Sequence, residues 1–459
     1  MRVETSETAQ LSRQVARSTP DQELTLVCLP YAGGDAVAFL RWSEALRGSA
    51  RVVVVELPGR DGRRSDRGGI VVGDVADQVA AHAHAPYALY GHSMGARLAF
   101  EVVRELRRRG VPLPLRLYVG GAHPPHLVEP IARLAHLTEE QFLDQLILRA
   151  GTPAVVRDDP YVRAAVLPTL RIDLDWLRAY RYRPESPLPV PVVAFAGMDD
   201  QEVPDNLMLG WARHTSASFR LHTLVGDHLF IRTETATLTA MIAADLAAAR
   251  DGRHDAPTVP PPAPDEIHVW RLALGPPGTG SARDGTADEV GQGGDAAFRA
   301  ALRHLLRRYG VEDGDLDGAG ADPGDPAFGG PTLAGLHRAV SRSAGTALVA
   351  LGRRELAVDV EVLRPVTDLD DFCDRALTPA ERAEVFAEPE EHQLSAALRR
   401  WTAREAVRKA TAAAAAAPGT PTAVDWRVTE LDLDDAVAAV ATSGGNWRLR
   451  YEILGGLPR

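Results

Sequence analysis

The sequence predicts an α/β fold with a mostly parallel sheet in its first half, followed by a second, separate domain. Three observations carry this expectation. Short apolar runs of strand length alternate with helix-periodic stretches over roughly the first 250 residues. A Gly91-x-Ser93-x-Gly95 junction has the strand–turn–helix spacing that holds a serine hydroxyl clear of the backbone. A proline-rich run, Ala256-Pro257-Thr258-Val259-Pro260-Pro261-Pro262-Ala263-Pro264, then interrupts the chain as an extended spacer would. A length of 459 residues leaves room for two or three domains.

Composition narrows the function. The 45% hydrophobic content is enough for sizeable cores. A net charge of −11 argues against nucleic acid as a general partner, because binding phosphates needs a basic stripe that displaces counterions. Cys28 and Cys373 lie far apart in sequence, which predicts no disulfide framework and a reducing compartment. Residues 1–20 carry Glu4 and Glu7 without an apolar core, so they read as a flexible N-terminus and not as a secretory signal. No run approaches the ~18 apolar residues of a membrane span. The expected location is cytoplasmic, with no membrane partner.

In chain order, Leu24-Thr25-Leu26-Val27-Cys28-Leu29 reads as a buried parallel strand ending at Pro30. The loop Tyr31-Ala32-Gly33-Gly34 follows, and its glycines allow the backbone close to a ligand, so the Ala32 N–H is a candidate oxyanion donor. Arg51-Val52-Val53-Val54-Val55 is a second strand, closed by Pro58-Gly59, and 75–85 has the pattern of an amphipathic helix. The next strand delivers Ser93, with Gly91 and Gly95 giving clearance and the Met94 N–H opening the following helix as the other oxyanion donor. Residues 136–182 read as helical, with Leu143, Leu146 and Ile147, then Leu167, Leu170, Leu174 and Leu177, at helix-like intervals. This pattern fits a helical lid over the site and equally fits ordinary covering helices.

Strands resume at 191–197 and 219–225, leading into Asp199-Asp200 and Gly226-Asp227-His228 respectively. The order Ser93, Asp200, His228 is that of an α/β-hydrolase triad, whose members lie on loops at the carboxyl ends of parallel strands. His228 would take the serine proton, and Asp200 would hold the imidazole tautomer. Asp200 is preferred to Asp199 because it sits in Gly197-x-x-Asp200-x-x-Val203-Pro204. His92 is too close to Ser93 in sequence to act as its base. His123 and His126 read as rim or structural residues, and no metal site is expected in this half.

Four separated motifs together resemble the type II thioesterases of polyketide and nonribosomal peptide assembly lines. They are Leu29-Pro30-Tyr31-Ala32-Gly33-Gly34, Glu56-Leu57-Pro58-Gly59-Arg60, Tyr90-Gly91-His92-Ser93-Met94-Gly95-Ala96 and Gly226-Asp227-His228-Leu229-Phe230. The resemblance extends to about residue 245. It implies an α/β-hydrolase fold with a helical lid and a serine thioesterase that needs no cofactor. The implied task is removal of stalled or wrong acyl groups from the phosphopantetheine arms of acyl or peptidyl carrier proteins. It also implies Ser93, Asp200 and His228 as the triad and Ala32 and Met94 as oxyanion donors. Asp227 stands where that family often has a second glycine before the histidine.

The second half carries Gly/Asp/Ser-rich stretches at 275–294 and 311–330, which read as loops, and strands at 346–351 and 356–361. In the latter strand Asp359 and Glu361 share a face, presenting paired hard oxygen ligands of the kind Mg²⁺ takes. A helix over 394–417 places Trp401, Glu405 and Lys409 on one side. Read without a family, the same residues fit a solvated strand edge and a surface ion pair.

Ile267-His268-Val269-Trp270-Arg271-Leu272, Val358-Asp359-Val360-Glu361 and Trp401-Thr402-x-x-Glu405-Ala406-x-x-Lys409 resemble a 4′-phosphopantetheinyl transferase, from 266 to about 451. This implies an α+β domain in which Asp359, Glu361 and Glu405 bind Mg²⁺ and Lys409 and Arg342 contact coenzyme A. The chain departs from that family at Ser341-Arg342-Ser343, where Ser-His-Ser is usual, and at Gly329-Gly330-Pro331, where Gly-Lys-Pro is usual. Arg404 stands where lysine is common, and 274–298 lacks the basic helical stretch. The expected domains are 21–250, a thioesterase, and 266–459, transferase-like, joined by a linker at 251–265. The principal expectation is an editing thioesterase. Alternatives are a carrier-activating transferase with the hydrolase as proofreader, a noncatalytic C-terminal docking domain, and a small-molecule esterase.

Overall fold

In the computed structural model the described residues are 24–60, 69–84, 86–128, 130, 137–150, 152–250, 259–274, 287–311, 333, 335–366, 368–416 and 424–454. The expected flexible terminus at 1–20, the first part of the 251–265 linker, most of the two Gly-rich stretches and Gly329-Gly330-Pro331 lie outside them. The chain divides into two compact units, Met1–Asp255 and Ala256–Arg459.

In the first unit, β1 (Thr25–Leu29) is buried along its whole length, as a strand covered on both faces must be. It pairs in parallel with β2 (Arg51–Val54) and β3 (Tyr87–His92). Parallel pairing continues through β4 (Leu117–Gly120), β5 (Val192–Gly197) and β6 (Phe219–Leu224), in the order β2-β1-β3-β4-β5-β6. The register sets Leu29 opposite Gly91, and His92 opposite Gly120. The strands therefore end at one level, and their following loops form a common rim.

Helix α1 (Val72–Ala80) buries Val75, Ala76 and Val79. It ends five residues earlier than the 75–85 expectation, because His82 and Ala83 donate back to Val79 and Ala80, three residues away, and tighten the chain into turns. The long helix α2 (Met94–Arg108) follows β3 directly and buries Leu98, Val102, Val103 and Leu106. The helical segment resolves into α3 (Glu139–Ala150), a single turn at Val155–Asp158, and α4 (Pro160–Ala179). The Asp159 carboxylate caps α4 by accepting from the Tyr161 and Val162 N–H groups, and Pro160 sits in the first turn, where no N–H is needed. Helix α5 (Thr235–Arg250) closes the unit, its Leu238, Ile242 and Leu246 joining Phe39, Trp42 and Tyr90 in one core.

The second unit pairs β7 (Glu266–Ala273) antiparallel to β9 (Thr346–Gly352), which pairs in turn with β8 (His337–Ser343). A separate antiparallel sheet places β12 (Ala436–Ser443) between β10 (Leu356–Val362) and β11 (Trp426–Leu433), and β13 (Arg448–Leu454) runs parallel to β7. Its helices are α6 (Ala287–Arg307), α7 (Leu369–Ala376), α8 (Pro379–Ala387) and α9 (Glu390–Ala416). Ala406 and Ala410 of α9 meet Ala357 of β10 and Ala439 and Ala441 of β12, so small side chains on both sides bring the helix close to this sheet. Residues 259–264, read from the sequence as spacer, are held by this unit. Arg353 and Arg354 donate to the carbonyls of Pro262 and Pro264. No helix among the described residues is long and apolar enough to cross a membrane.

The tightest point of the first unit is the β3–α2 junction. A Cβ on Gly91 would stand 2.2 Å from the Gly95 carbonyl oxygen, and one on Gly95 would stand 2.3 Å from the Leu29 oxygen. Both obstacles are backbone and cannot swing aside. Gly95→Ala is therefore expected to destabilise the unit by about 3 kcal/mol or more, as for severe overpacking, read as a lowered thermal midpoint or loss of soluble protein.

Candidate active site

Ser93 occupies the turn between β3 and α2 at φ 52° and ψ −119°, a conformation that costs a non-glycine residue about 1–3 kcal/mol. Its N–H donates to the Gly120 carbonyl at 2.7 Å, which anchors the turn to β4. Its side chain remains partly accessible, whereas the residues around it are buried.

His228 lies beyond β6 and Asp200 beyond β5. The imidazole Nδ1 is 2.8 Å from Asp200 Oδ2, and Nε2 is 3.0 Å from Ser93 Oγ. A carboxylate only accepts, so Nδ1 carries the proton and Nε2 presents its lone pair to the serine hydroxyl. Asp200 Oδ1 accepts from the N–H groups of Glu202 and Val203, both at 2.9 Å. These bonds fix the carboxylate's orientation and aim its other oxygen at the histidine. The structure brings Asp200 to His228, whereas Asp199 is exposed and its N–H turns back to Gly226.

The loop after β1 reaches the same place. Gly95, at the start of α2, lies against the carbonyls of Leu29 and Pro30, so Ala32 follows a segment in contact with the elbow, where Met94 opens α2. Gly34 N–H donates to the Tyr31 carbonyl at 2.8 Å and closes the turn around Ala32.

His92 does not bond Ser93; it holds the backbone of His228 instead. Its Nε2 is 2.7 Å from the His228 carbonyl oxygen and must be the donor there; its Nδ1 then accepts from the Tyr90 hydroxyl at 3.0 Å. His126 and His214 form a ring-nitrogen pair at 2.9 Å, and the His214 ring makes edge contacts with Phe100, Trp211 and Tyr182. His123 is buried.

In the second unit, a cavity of about 370 Å³ is lined by Ser341, Asp359, Glu361, Trp401, Glu405 and Lys409. Ser341 Oγ donates to Asp359 Oδ1 at 3.1 Å, and Ser343 Oγ donates to Glu361 Oε2 at 2.8 Å. Lys409 Nζ lies 2.5 Å from Asp359 Oδ1, and Arg408 takes the Glu405 carboxylate at 2.6 Å. Burial raises the Asp359 pKa against the pull of Lys409, while Arg408 lowers that of Glu405. Arg342 also borders the cavity, but its guanidinium lies 5.0 Å from the Phe298 ring centroid, on the face of β8 that alternation turns away from Ser341 and Ser343.

The chemistry of these donors fits a hard divalent cation, and Asp359 Oδ2 is buried without a hydrogen-bond partner on the wall of the cavity. As the side chains stand, no group of three or more His, Cys, Asp or Glu among the described residues is drawn into a ligand set, and the Lys409 ammonium supplies the positive charge beside Asp359.

Residues 24–246 match the family model of the thioesterase domain, and residues 355–453 match that of the 4′-phosphopantetheinyl transferase superfamily. The chain is 37% identical over 250 residues to thioesterase PikA5 of Streptomyces venezuelae, a match covering 53% of this chain and 88% of that protein. It is 34% identical over 215 residues to gramicidin S biosynthesis protein GrsT of Aneurinibacillus migulanus, covering 46% and 83%. It is 33% identical over 237 residues to linear gramicidin dehydrogenase LgrE of Brevibacillus parabrevis, covering 50% and 90%. The chain belongs to the thioesterase family. It is a hydrolase of that family with a phosphopantetheinyl transferase superfamily domain behind it.

Sequence reasoning missed two features of the thioesterase unit. One is the contact of His92 with the His228 backbone, which depends on a loop arriving from 136 residues away. Arg60 and Asp173 form a buried ion pair that no spacing links, although Arg60 stood within a motif. The available signal for Asp173 was an acidic residue within the apolar helix-like run of 167–177.

Burial also makes the first unit sensitive to acid. Burial, and then His228, lower the His92 pKa to about 3; burial, and then His126, lower that of His214 to about 3. His126 is lowered to about 4, by burial and then Arg213. Each stays neutral in the folded state while the unfolded chain takes up a proton near the ordinary imidazole value of 6.5. Their contribution to stability is present above that value and is lost as pH falls toward the folded values. The urea midpoint of the first unit is expected to drop between about pH 7.5 and about pH 5, and His214→Phe is expected to shrink the drop.

Proposed function

We propose that the thioesterase unit is a type II editing enzyme that hydrolyses acyl thioesters from the phosphopantetheine arms of acyl or peptidyl carrier proteins. The observation that carries this reading is the continuous relay Asp200–His228–Ser93, with its tautomer set by a carboxylate that two backbone N–H groups hold in place. Ser93 Oγ attacks the thioester carbonyl while His228 Nε2 takes the hydroxyl proton. The oxyanion is met by the N–H groups of Ala32 and Met94. His228 returns the proton to the departing thiolate sulfur, leaving an acyl ester on Ser93. Water then gives its proton to His228 and attacks the ester, releasing the acid and restoring Ser93. The biosynthetic relatives and the transferase superfamily match behind the hydrolase both support a carrier-bound substrate over a free ester. Residues 21–250 form this domain, and its place of work is the cytoplasm.

For residues 266–459, the cavity supports a second activity, transfer of phosphopantetheine from coenzyme A to a carrier serine. Asp359, Glu361 and Glu405 would hold Mg²⁺, and Lys409, released from Asp359, would meet the phosphates, with Arg342 at the rim. When bound, Mg²⁺ neutralises charge on the phosphoryl group. Ser341 and Ser343 keep the first two carboxylates oriented.

Intact-mass measurement tests both activities. With an acyl-loaded carrier, the protein is expected to remove the acyl mass, Ser93→Ala to lose turnover by a factor on the order of 10⁴ or more, and Asp200→Asn by about 10³–10⁴. An unchanged rate in Ser93→Ala overturns the first reading. With an apo carrier, coenzyme A and Mg²⁺, a phosphopantetheine mass gain that Asp359→Ala abolishes is expected. No gain leaves the second unit a carrier-docking domain.

A further inference from the structure

The motif Leu57-Pro58-Gly59-Arg60 has no part in the relay, yet it is tied to the loop that carries Ala32. Arg60 Nη1 and Nη2 donate to Asp173 Oδ1 and Oδ2 at 2.8 and 2.6 Å, and Arg60 Nε donates to the Gly34 carbonyl at 3.0 Å. Arg60 Nη1 also donates to the carbonyl of Pro58. Asp173, on α4, has a side chain 0% exposed, and its Oδ2 also accepts the Gly33 N–H at 2.7 Å. One carboxylate thus gathers the 31–34 loop, the 58–60 loop and α4.

The Gly33 N–H belongs to the peptide plane that begins at the Ala32 carbonyl, and Gly33 has φ 76°, which glycine adopts without strain. The Ala32 N–H lies in the preceding plane, with the Tyr31 carbonyl that accepts from Gly34 N–H at 2.8 Å, so holding Gly33 through Asp173 and Gly34 through Arg60 limits its rotation on both sides. Docking of α4 does not itself need this pair. Leu167, Leu170, Leu174 and Leu177 already bury the helix, and Thr169 Oγ donates to the Gly59 carbonyl at 2.9 Å. A buried ion pair adds little net stability compared with apolar packing, but a bidentate guanidinium–carboxylate fork fixes direction.

We propose that Arg60 and Asp173 are positioning residues for the oxyanion hole, holding the Ala32 N–H in its donor orientation only while α4 is docked. Neither touches the substrate. The proposal rests on the reading of Ser93 as nucleophile and Ala32 as oxyanion donor, and it makes α4 a lid whose seating assembles the site. Displacing the helix removes the acceptor for Gly33 N–H and one anchor of Arg60 together.

The test uses the full chain and an acyl-N-acetylcysteamine thioester as probe, comparing wild type, Ser93→Ala, Asp173→Asn, Arg60→Lys and Thr169→Val. Asp173→Asn is expected to lower kcat about tenfold or more with KM within about twofold, because the loss falls on transition-state stabilisation. Arg60→Lys should shift kcat the same way by less, and Thr169→Val should keep the wild-type kcat. Amide hydrogen exchange at Gly33 should quicken in Asp173→Asn and stay unchanged in Thr169→Val. An unchanged kcat and exchange rate in Asp173→Asn overturns the proposal, as does an equal kcat loss in Thr169→Val, which would mark lid docking in general. Should Asp173→Asn not fold, Arg60→Lys decides by the same readouts. Equal hydrolysis by wild type and Ser93→Ala would sink the nucleophile reading instead, and Gly33 exchange would still report whether the pair holds the loop.

Discussion

The left-handed φ of Ser93 constrains everything around it. A serine there is under strain, and it persists because strand β3, helix α2 and the end of β1 are packed backbone against backbone, with glycine at 91 and 95. The hydrogen bond from Ser93 N–H to Gly120 adds β4 to the clamp. Because the strands are parallel and in register, the loops carrying Ala32, Asp200 and His228 emerge at the same level as the turn. The strain and the sheet are thus two aspects of one arrangement.

Buried polar groups then set the geometry within that frame. His92, one residue before the turn, binds the backbone of His228, so the strand that leads into Ser93 also holds His228. Tyr90, two residues earlier on the same face of β3, completes the neutral imidazole's bonding. Asp200 is oriented by two N–H groups of its own loop, and Asp173 by Arg60 and Gly33. A buried polar group without partners costs about 1–3 kcal/mol, so each of these bonds also specifies where its loop must lie.

The second unit follows a different rule. In its cavity Lys409 lies on Asp359 and Arg408 takes Glu405, while serine hydroxyls from β8 fix the carboxylates of β10. Alternation along β8 explains why Ser341 and Ser343 face the acids while Arg342 lies over Phe298. The i, i+4 spacing of Glu405 and Lys409 on α9 puts both on the cavity wall, close to the sheet because alanines line the contact.

Much of this was legible in the amino-acid order. The α/β class followed from apolar runs of strand length separated by helical periods. The elbow followed from Gly91-x-Ser93-x-Gly95, and the face shared by Asp359 and Glu361 followed from the two-residue strand period, since all three are local consequences of backbone geometry. The helix α1 ends earlier than its apolar spacing suggests because turns with three-residue hydrogen bonds share that spacing. What the order of residues could not decide is which distant groups meet. The motif around Asp200 favours it over Asp199, but that its carboxylate meets His228 depended on two loops brought together by strand register. The support of that histidine by His92, and the union of Arg60, Asp173 and Gly33, likewise depended on loops brought together by strand register. Local patterns are written in neighbouring residues, whereas the partner of a buried charge is chosen by desolvation, which acts only once the chain has closed around it.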